Sequence, residues 1–125
     1  MNNLRVLLVD DEVELVETLA ERLELRGIDA EVVTSGEDAL RLLLDYTFDV
    51  VLLDVKMPGI DGLEVLKLIR RQRPATQVIL ITGHGSEEDR ESGLQEGAVD
   101  YVVKPIDIDK LIGRMKDAAS KAQRR

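Results

Sequence analysis

Four short apolar runs, Leu4 to Val9, Val50 to Leu53, Val78 to Ile81 and Tyr101 to Val103, each stop at a polar residue: Asp10, Asp54, Thr82 and Lys104. Runs of this length with no polar alternation read as strands covered on both faces, the habit of parallel sheets. Parallel strands need crossover connections, and a helix-length stretch follows each run. In an open parallel sheet the site lies beyond the carboxyl ends of the strands, where the strand order reverses. The pattern therefore predicts that Asp10, its neighbour Asp11, Asp54, Thr82 and Lys104 meet in one crevice although they are scattered along the chain.

The intervening stretches carry helical signals. Glu12 to Arg26 has Val16, Leu19, Ala20 and Leu23 on one face, and Gly27 supplies a stop. A second strand is expected at about Ala30 to Val33. Ser35 with Asp38 resembles a capping box, with Ala39, Leu40, Leu43 and Leu44 continuing a helix toward Tyr46. Met57-Pro58-Gly59 forces a turn before a helix from about Gly62 to Arg71, ended near Pro74. Glu87 to Glu96 is the weakest helical stretch, with Leu94 its one large apolar residue and Gly93 inside it; Gly97 ends it. Asp107 can cap a last helix bearing Ile108, Leu111, Ile112, Met115 and Ala119. Right-handed crossovers place such helices on both faces of the sheet, so the expected fold is an α/β, three-layer, doubly wound sandwich. At 125 residues, one domain spanning 1–125 is expected.

Charge and composition exclude several functions. A net charge of −8 would repel a phosphate backbone, so direct nucleic acid binding is not expected. The aromatic residues are Tyr46, Phe48 and Tyr101, too few for a base-stacking platform. No Gly-rich loop follows the first strand, where Asp10-Asp11-Glu12 would instead repel a nucleotide's phosphates. With no Cys, no signal-like segment and no membrane span, the expected location is the cytoplasm. The basic clusters Arg70-Arg71-Arg73 and Lys121 to Arg125 fall where helices end and are expected to complement helix dipoles.

Converging carboxylates about 4 Å apart repel by roughly 1 to 4 kcal/mol per pair, and a divalent cation resolves the conflict. An all-oxygen donor set without His or Cys suits Mg²⁺. Taken alone, Asp10-Asp11 would serve equally well as helix caps, Lys104 as a surface lysine and Thr82 as an ordinary strand residue. Their joint placement at strand ends favours the metal-site reading.

Leu-Val-Asp-Asp-Glu (8 to 12), Leu-Leu-Asp-Val-Lys-Met-Pro-Gly-Ile-Asp-Gly (52 to 62), Ile-Thr-Gly (81 to 83) and Gly-Ala-Val-Asp-Tyr-Val-Val-Lys-Pro (97 to 105) resemble the receiver domains of bacterial two-component response regulators, in the same order and spacing. The resemblance covers essentially the whole chain. It implies a flavodoxin-like, five-stranded sheet of order 2-1-3-4-5. It also implies that Asp54 accepts a phosphoryl group from a phosphohistidine on a sensor histidine kinase or phosphotransfer protein, forming an aspartyl phosphate.

By the same resemblance, Asp11, Asp54 and the backbone carbonyl of Lys56 bind Mg²⁺ directly, Asp10 acts through metal-bound water, and Lys104 pairs with a phosphoryl oxygen. Thr82 and Tyr101 form the switch, and Pro105 is a candidate cis peptide. Lys56 and His84 flank the path of hydrolytic water and tune the phosphate lifetime; read alone, His84 is a solvent-facing loop residue. The implied output surface is the fourth helix with the fifth strand and helix, and a homodimer formed on phosphorylation is one option. The stretch Arg90-Glu91-Ser92-Gly93 departs from the Ala-rich segment common in the family.

Two other readings are weaker. An aspartate-nucleophile phosphatase of the haloacid dehalogenase type needs Asp-x-Asp after its first strand, where Asp10-Asp11-Glu12 stand here. A receiver-like interaction module independent of phosphorylation does not explain the intact acidic residues with Thr82 and Lys104. Ending soon after the last helix, the chain is expected to be either a stand-alone regulator or a receiver cut from a longer one.

Overall fold

The computed structural model describes residues 4–83 and 87–123. Among these, strands β1 (Arg5–Val9), β2 (Asp29–Val33), β3 (Val50–Asp54), β4 (Gln77–Thr82) and β5 (Asp100–Val103) alternate with helices α1 (Val13–Leu25), α2 (Gly36–Asp45), α3 (Gly62–Gln72), α4 (Glu87–Gln95) and α5 (Ile108–Gln123). Neighbouring strands are all parallel, in the order β2-β1-β3-β4-β5.

Successive strand side chains point to opposite faces, so each apolar run supplies two cores. Val6, Leu8, Val50, Leu52, Ile79 and Ile81 pack with Val16, Leu19 and Leu23 of α1 and Leu111 and Met115 of α5. Leu7, Val9, Val51, Leu53, Val78 and Leu80 pack with Ala39 and Leu43 of α2 and Val65, Leu66 and Ile69 of α3. The result is a helix layer on each face of the sheet, as the sequence pattern predicts. Burial on both faces holds throughout β3 and β4 and for β1 after Arg5. It fails for β5, whose residues are each only partly buried, because the strand order leaves β5 at an edge.

Helix ends follow the expected local chemistry. The Ser35 hydroxyl accepts the Asp38 N–H at 3.1 Å, and Asp107 Oδ1 accepts the N–H groups of Asp109 and Lys110. α1 ends as Gly27 turns left-handed (φ +79°) and the Ile28 N–H reaches back to the Leu23 carbonyl. Arg70 and Arg71 lie in the last turn of α3 as expected, and Arg73, its C-cap, turns to α2. Arg73 donates from Nε to the Leu43 carbonyl at 2.8 Å and from Nη2 to that of Leu44, while Gln72 donates to that of Leu40. These residues satisfy carbonyls near the end of α2, whose last turn has no basic residue of its own.

α4 is held differently from the other helices. Gly93 is its buried residue, and Leu94 is 44% exposed. A Cβ at Gly93 would lie 2.1 Å from Leu80 Cδ1, so the glycine lets the helix backbone approach β4. No helix among the described residues is long and apolar enough to cross a membrane.

Candidate metal and phosphoryl site

Register brings the polar strand ends together. Val9 lies beside Leu53, Asp54 beside Ile81 and Thr82 beside Val103, so the residues at and just after these positions share one end of the sheet. Asp10 is 1% exposed and Asp54 is 5% exposed. Each carboxylate is aimed by the N–H two residues on: Glu12 N–H donates to Asp10 Oδ1 at 3.0 Å, and Lys56 N–H donates to Asp54 Oδ1 at 2.9 Å. Lys104, just beyond β5, donates its backbone N–H to the Thr82 carbonyl at 2.9 Å. Its ammonium stands among three carboxylates, 2.5 Å from Glu12 Oε1, 3.2 Å from Asp54 Oδ2 and 3.3 Å from Asp10 Oδ2. The Lys104–Pro105 peptide bond is cis.

Asp10, Glu12 and Asp54 present oxygens that all lie within 4.8 Å of one another. Asp11 is exposed and stands outside this triplet. Glu12, which reads in the sequence as the first residue of a helix, is instead the N-cap of α1 and makes no side-chain capping bond. Its only sequence signal is its place directly after Asp10-Asp11. Neither aspartate caps α1, so the capping alternative does not account for them.

Electrostatics follow the geometry. Burial, then the neighbouring Asp54 charge, push the Asp10 carboxyl up against the opposing pull of the Glu12 N–H and of Lys104. Burial lowers the Lys104 ammonium, but its hydrogen bond with Glu12 and the charges of Asp10 and Asp54 outweigh it and raise it above its ordinary value. The donor set is all oxygen, and two of its carboxylates are almost out of water. It suits a hard divalent cation, which would share the neutralisation that Lys104 carries alone.

The Thr82 side chain is buried at the end of β4, its hydroxyl donating to the Val102 carbonyl at 3.4 Å. Tyr101 on β5 is partly buried, with the Arg90 guanidinium 5.2 Å from its ring centroid. Lys56 is exposed. His84 lies outside the described residues.

Known proteins resemble this chain in sequence and in fold. The family model described as "Response regulator receiver domain" matches residues 6–116. The transcriptional regulatory protein CpxR of Escherichia coli is 46% identical over 112 residues, 90% of this chain and 47% of that protein. The receiver domain of the Francisella response regulator 1452 is 35% identical with a TM-score of 0.86, covering 95% of this chain and 98% of that one. A CheY-like receiver domain protein from Methanospirillum hungatei is 27% identical with a TM-score of 0.92, covering 98% of each chain. The chain spans about half the length of the curated relatives it matches.

Proposed function

This chain belongs to the response regulator receiver domain family, and from that premise we propose that it carries a signal by accepting a phosphoryl group on Asp54. The observation that carries the reading is the nearly buried Asp54 carboxylate held between the Lys56 N–H and the Lys104 ammonium, with Asp10 and Glu12 beside it. A carboxylate fixed at two points presents one lone pair in a constant direction, which favours in-line attack on phosphorus.

The donor is a phosphohistidine on a sensor kinase or phosphotransfer protein. An Asp54 oxygen forms a bond to phosphorus as the N–P bond breaks, and the imidazole leaves with that electron pair. Lys104 then turns from its carboxylates to a phosphoryl oxygen, where its partly buried charge strengthens the contact. Asp11, Asp54 and the Lys56 carbonyl, with Asp10 acting through water, would hold Mg²⁺ as the family resemblance implies, and the ion would help neutralise the phosphoryl oxygens.

The new phosphoryl group carries about −1.5 to −2 charges and three acceptor oxygens, so it offers the Thr82 hydroxyl a stronger partner than the Val102 carbonyl. The hydroxyl's departure leaves space that Tyr101 fills by turning inward, changing the surface that α4, β5 and α5 present. Beside the site, Glu12 and Lys104 also line an apolar hollow of about 440 Å³ with Leu15, Leu19, Ile106 and Ile108. A protein delivering its phosphohistidine to Asp54 covers this hollow.

Incubation with Mg²⁺ and acetyl phosphate tests the reading. The chain should gain the mass of one phosphoryl group, and Asp54→Asn should not. Steady release of phosphate from varied esters would instead indicate a phosphatase, and no reaction would leave an interaction module that takes no phosphate.

A further inference from the structure

The Lys104 ammonium is shared, and it lies nearer to Glu12 than to the proposed acceptor. It is 2.5 Å from Glu12 Oε1 and 3.2 Å from Asp54 Oδ2. The backbone of Glu12 is pinned at both ends: its N–H is bound to Asp10 Oδ1, and its carbonyl accepts the Val16 N–H at 3.0 Å. Its side chain makes no capping bond to α1. A residue at this position ordinarily contributes through Ser, Thr, Asp or Asn capping, which a glutamate reaching toward Lys104 forgoes.

We propose that Glu12 is a positioning residue that competes with an arriving phosphoryl group for the Lys104 ammonium, so that phosphoryl transfer is fastest when the Glu12–Lys104 pair is open. The proposal rests on Asp54 being the acceptor. An arriving phosphoryl group needs the ammonium for its own oxygens, and each configuration in which Glu12 keeps that ammonium is less productive. Because the Glu12 side chain is 58% exposed, the restraint is modest. Pairs this wet change an equilibrium or a rate by about two- to fivefold.

The test uses the chain with Mg²⁺ and acetyl phosphate, where the bond from Asp54 to phosphorus forms as acetate leaves with the electrons of the broken P–O bond. Glu12→Gln keeps the shape and removes the charge, and it should be phosphorylated about two- to fivefold faster than the parent. Glu12→Asp keeps the charge but withdraws it by one methylene from Lys104, and it should resemble Glu12→Gln. A second readout needs no phosphoryl donor: reductive methylation of the metal-free chain should modify Lys104 faster in Glu12→Gln while the other lysines react as in the parent.

If the parent takes no phosphoryl group, the acceptor reading falls, and this role falls with it. If the parent is phosphorylated at Asp54 but Glu12→Gln is no faster, this role alone is overturned. A Glu12→Asp rate equal to the parent's would show that Glu12 acts by repelling the donor and not through Lys104. Unchanged Lys104 labelling would likewise overturn the proposal.

Discussion

Asp10 is 1% exposed and faces another carboxylate, so its ionised form sits where water helps it least. Burial and the Asp54 charge raise its carboxyl above the ordinary value of 3.8. The folded chain therefore takes up this proton more readily than the unfolded chain, and stability falls as pH rises through the raised value. Ionised Asp10 destabilises the metal-free fold at neutral pH, and that cost disappears once pH falls below 3.8. Asp10→Asn in chelator should be more stable than the parent at pH 7 by about 1 kcal/mol or more, with the gain shrinking toward zero near pH 4. Asp11 is exposed and outside the triplet, so Asp11→Asn should change stability by less than about 0.5 kcal/mol. Denaturant melts at the two pH values check this; equal gains in both variants, or an Asp10→Asn gain that grows toward low pH, would contradict it. The contrast marks what the sequence reveals of the site. Strand ends can be counted, which brings Asp10, Asp54, Thr82 and Lys104 to one end of the sheet. Which of three consecutive carboxylates turns inward depends on the path of the chain between β1 and α1, so counting alone does not bring out Glu12.

Helices differ in what holds them. α1 buries Val16, Leu19, Ala20 and Leu23, whereas α4 buries Gly93 and leaves Leu94 at the surface. Amide exchange in α4 should accordingly be faster than in α1 before phosphorylation. Equal protection in the two helices would refute that difference. Glycine substitutions separate packing from propensity. Gly113 lies exposed within α5, where an added methyl group would meet nothing within 4 Å, so Gly113→Ala should stabilise the fold by about 0.5 to 1 kcal/mol. At Gly93 the same change gains propensity but drives a methyl into Leu80, and overpacking of about 1 to 3 kcal/mol should win, giving net destabilisation. Thermal melts of the two variants should shift in opposite directions. The glycine in α4 reads as a weakness in the sequence because propensity is local, while its close contact with β4 is a tertiary fact. The apolar runs and caps, by contrast, are local enough to locate most elements. The partial burial of β5 is not legible in its apolar run, because four similar runs do not reveal which of them lies at an edge; only the strand order implied by the family resemblance does.

Strand order and register turn separated residues into one concentrated charge, and the folded chain bears the repulsion that the unfolded chain avoids by spreading out. Lys104 offsets part of it, yet Asp10 is still harder to ionise than usual. A cation that binds only the assembled carboxylates should therefore stabilise the whole molecule. Such binding adds about 2.7 kcal/mol when the free ion is 100-fold above its dissociation constant, and about 1.4 kcal/mol for each further tenfold. Adding Mg²⁺ should raise the unfolding free energy of the parent in this logarithmic way. Asp54→Asn and Asp10→Asn should each weaken the increment, because both remove a carboxylate from the set. A net charge of −8 means that any salt also relieves general repulsion, so the comparison must use NaCl at matched ionic strength. If NaCl stabilises the parent as much as Mg²⁺ does, or if both variants keep the full increment, the carboxylates do not act together as a divalent-cation site.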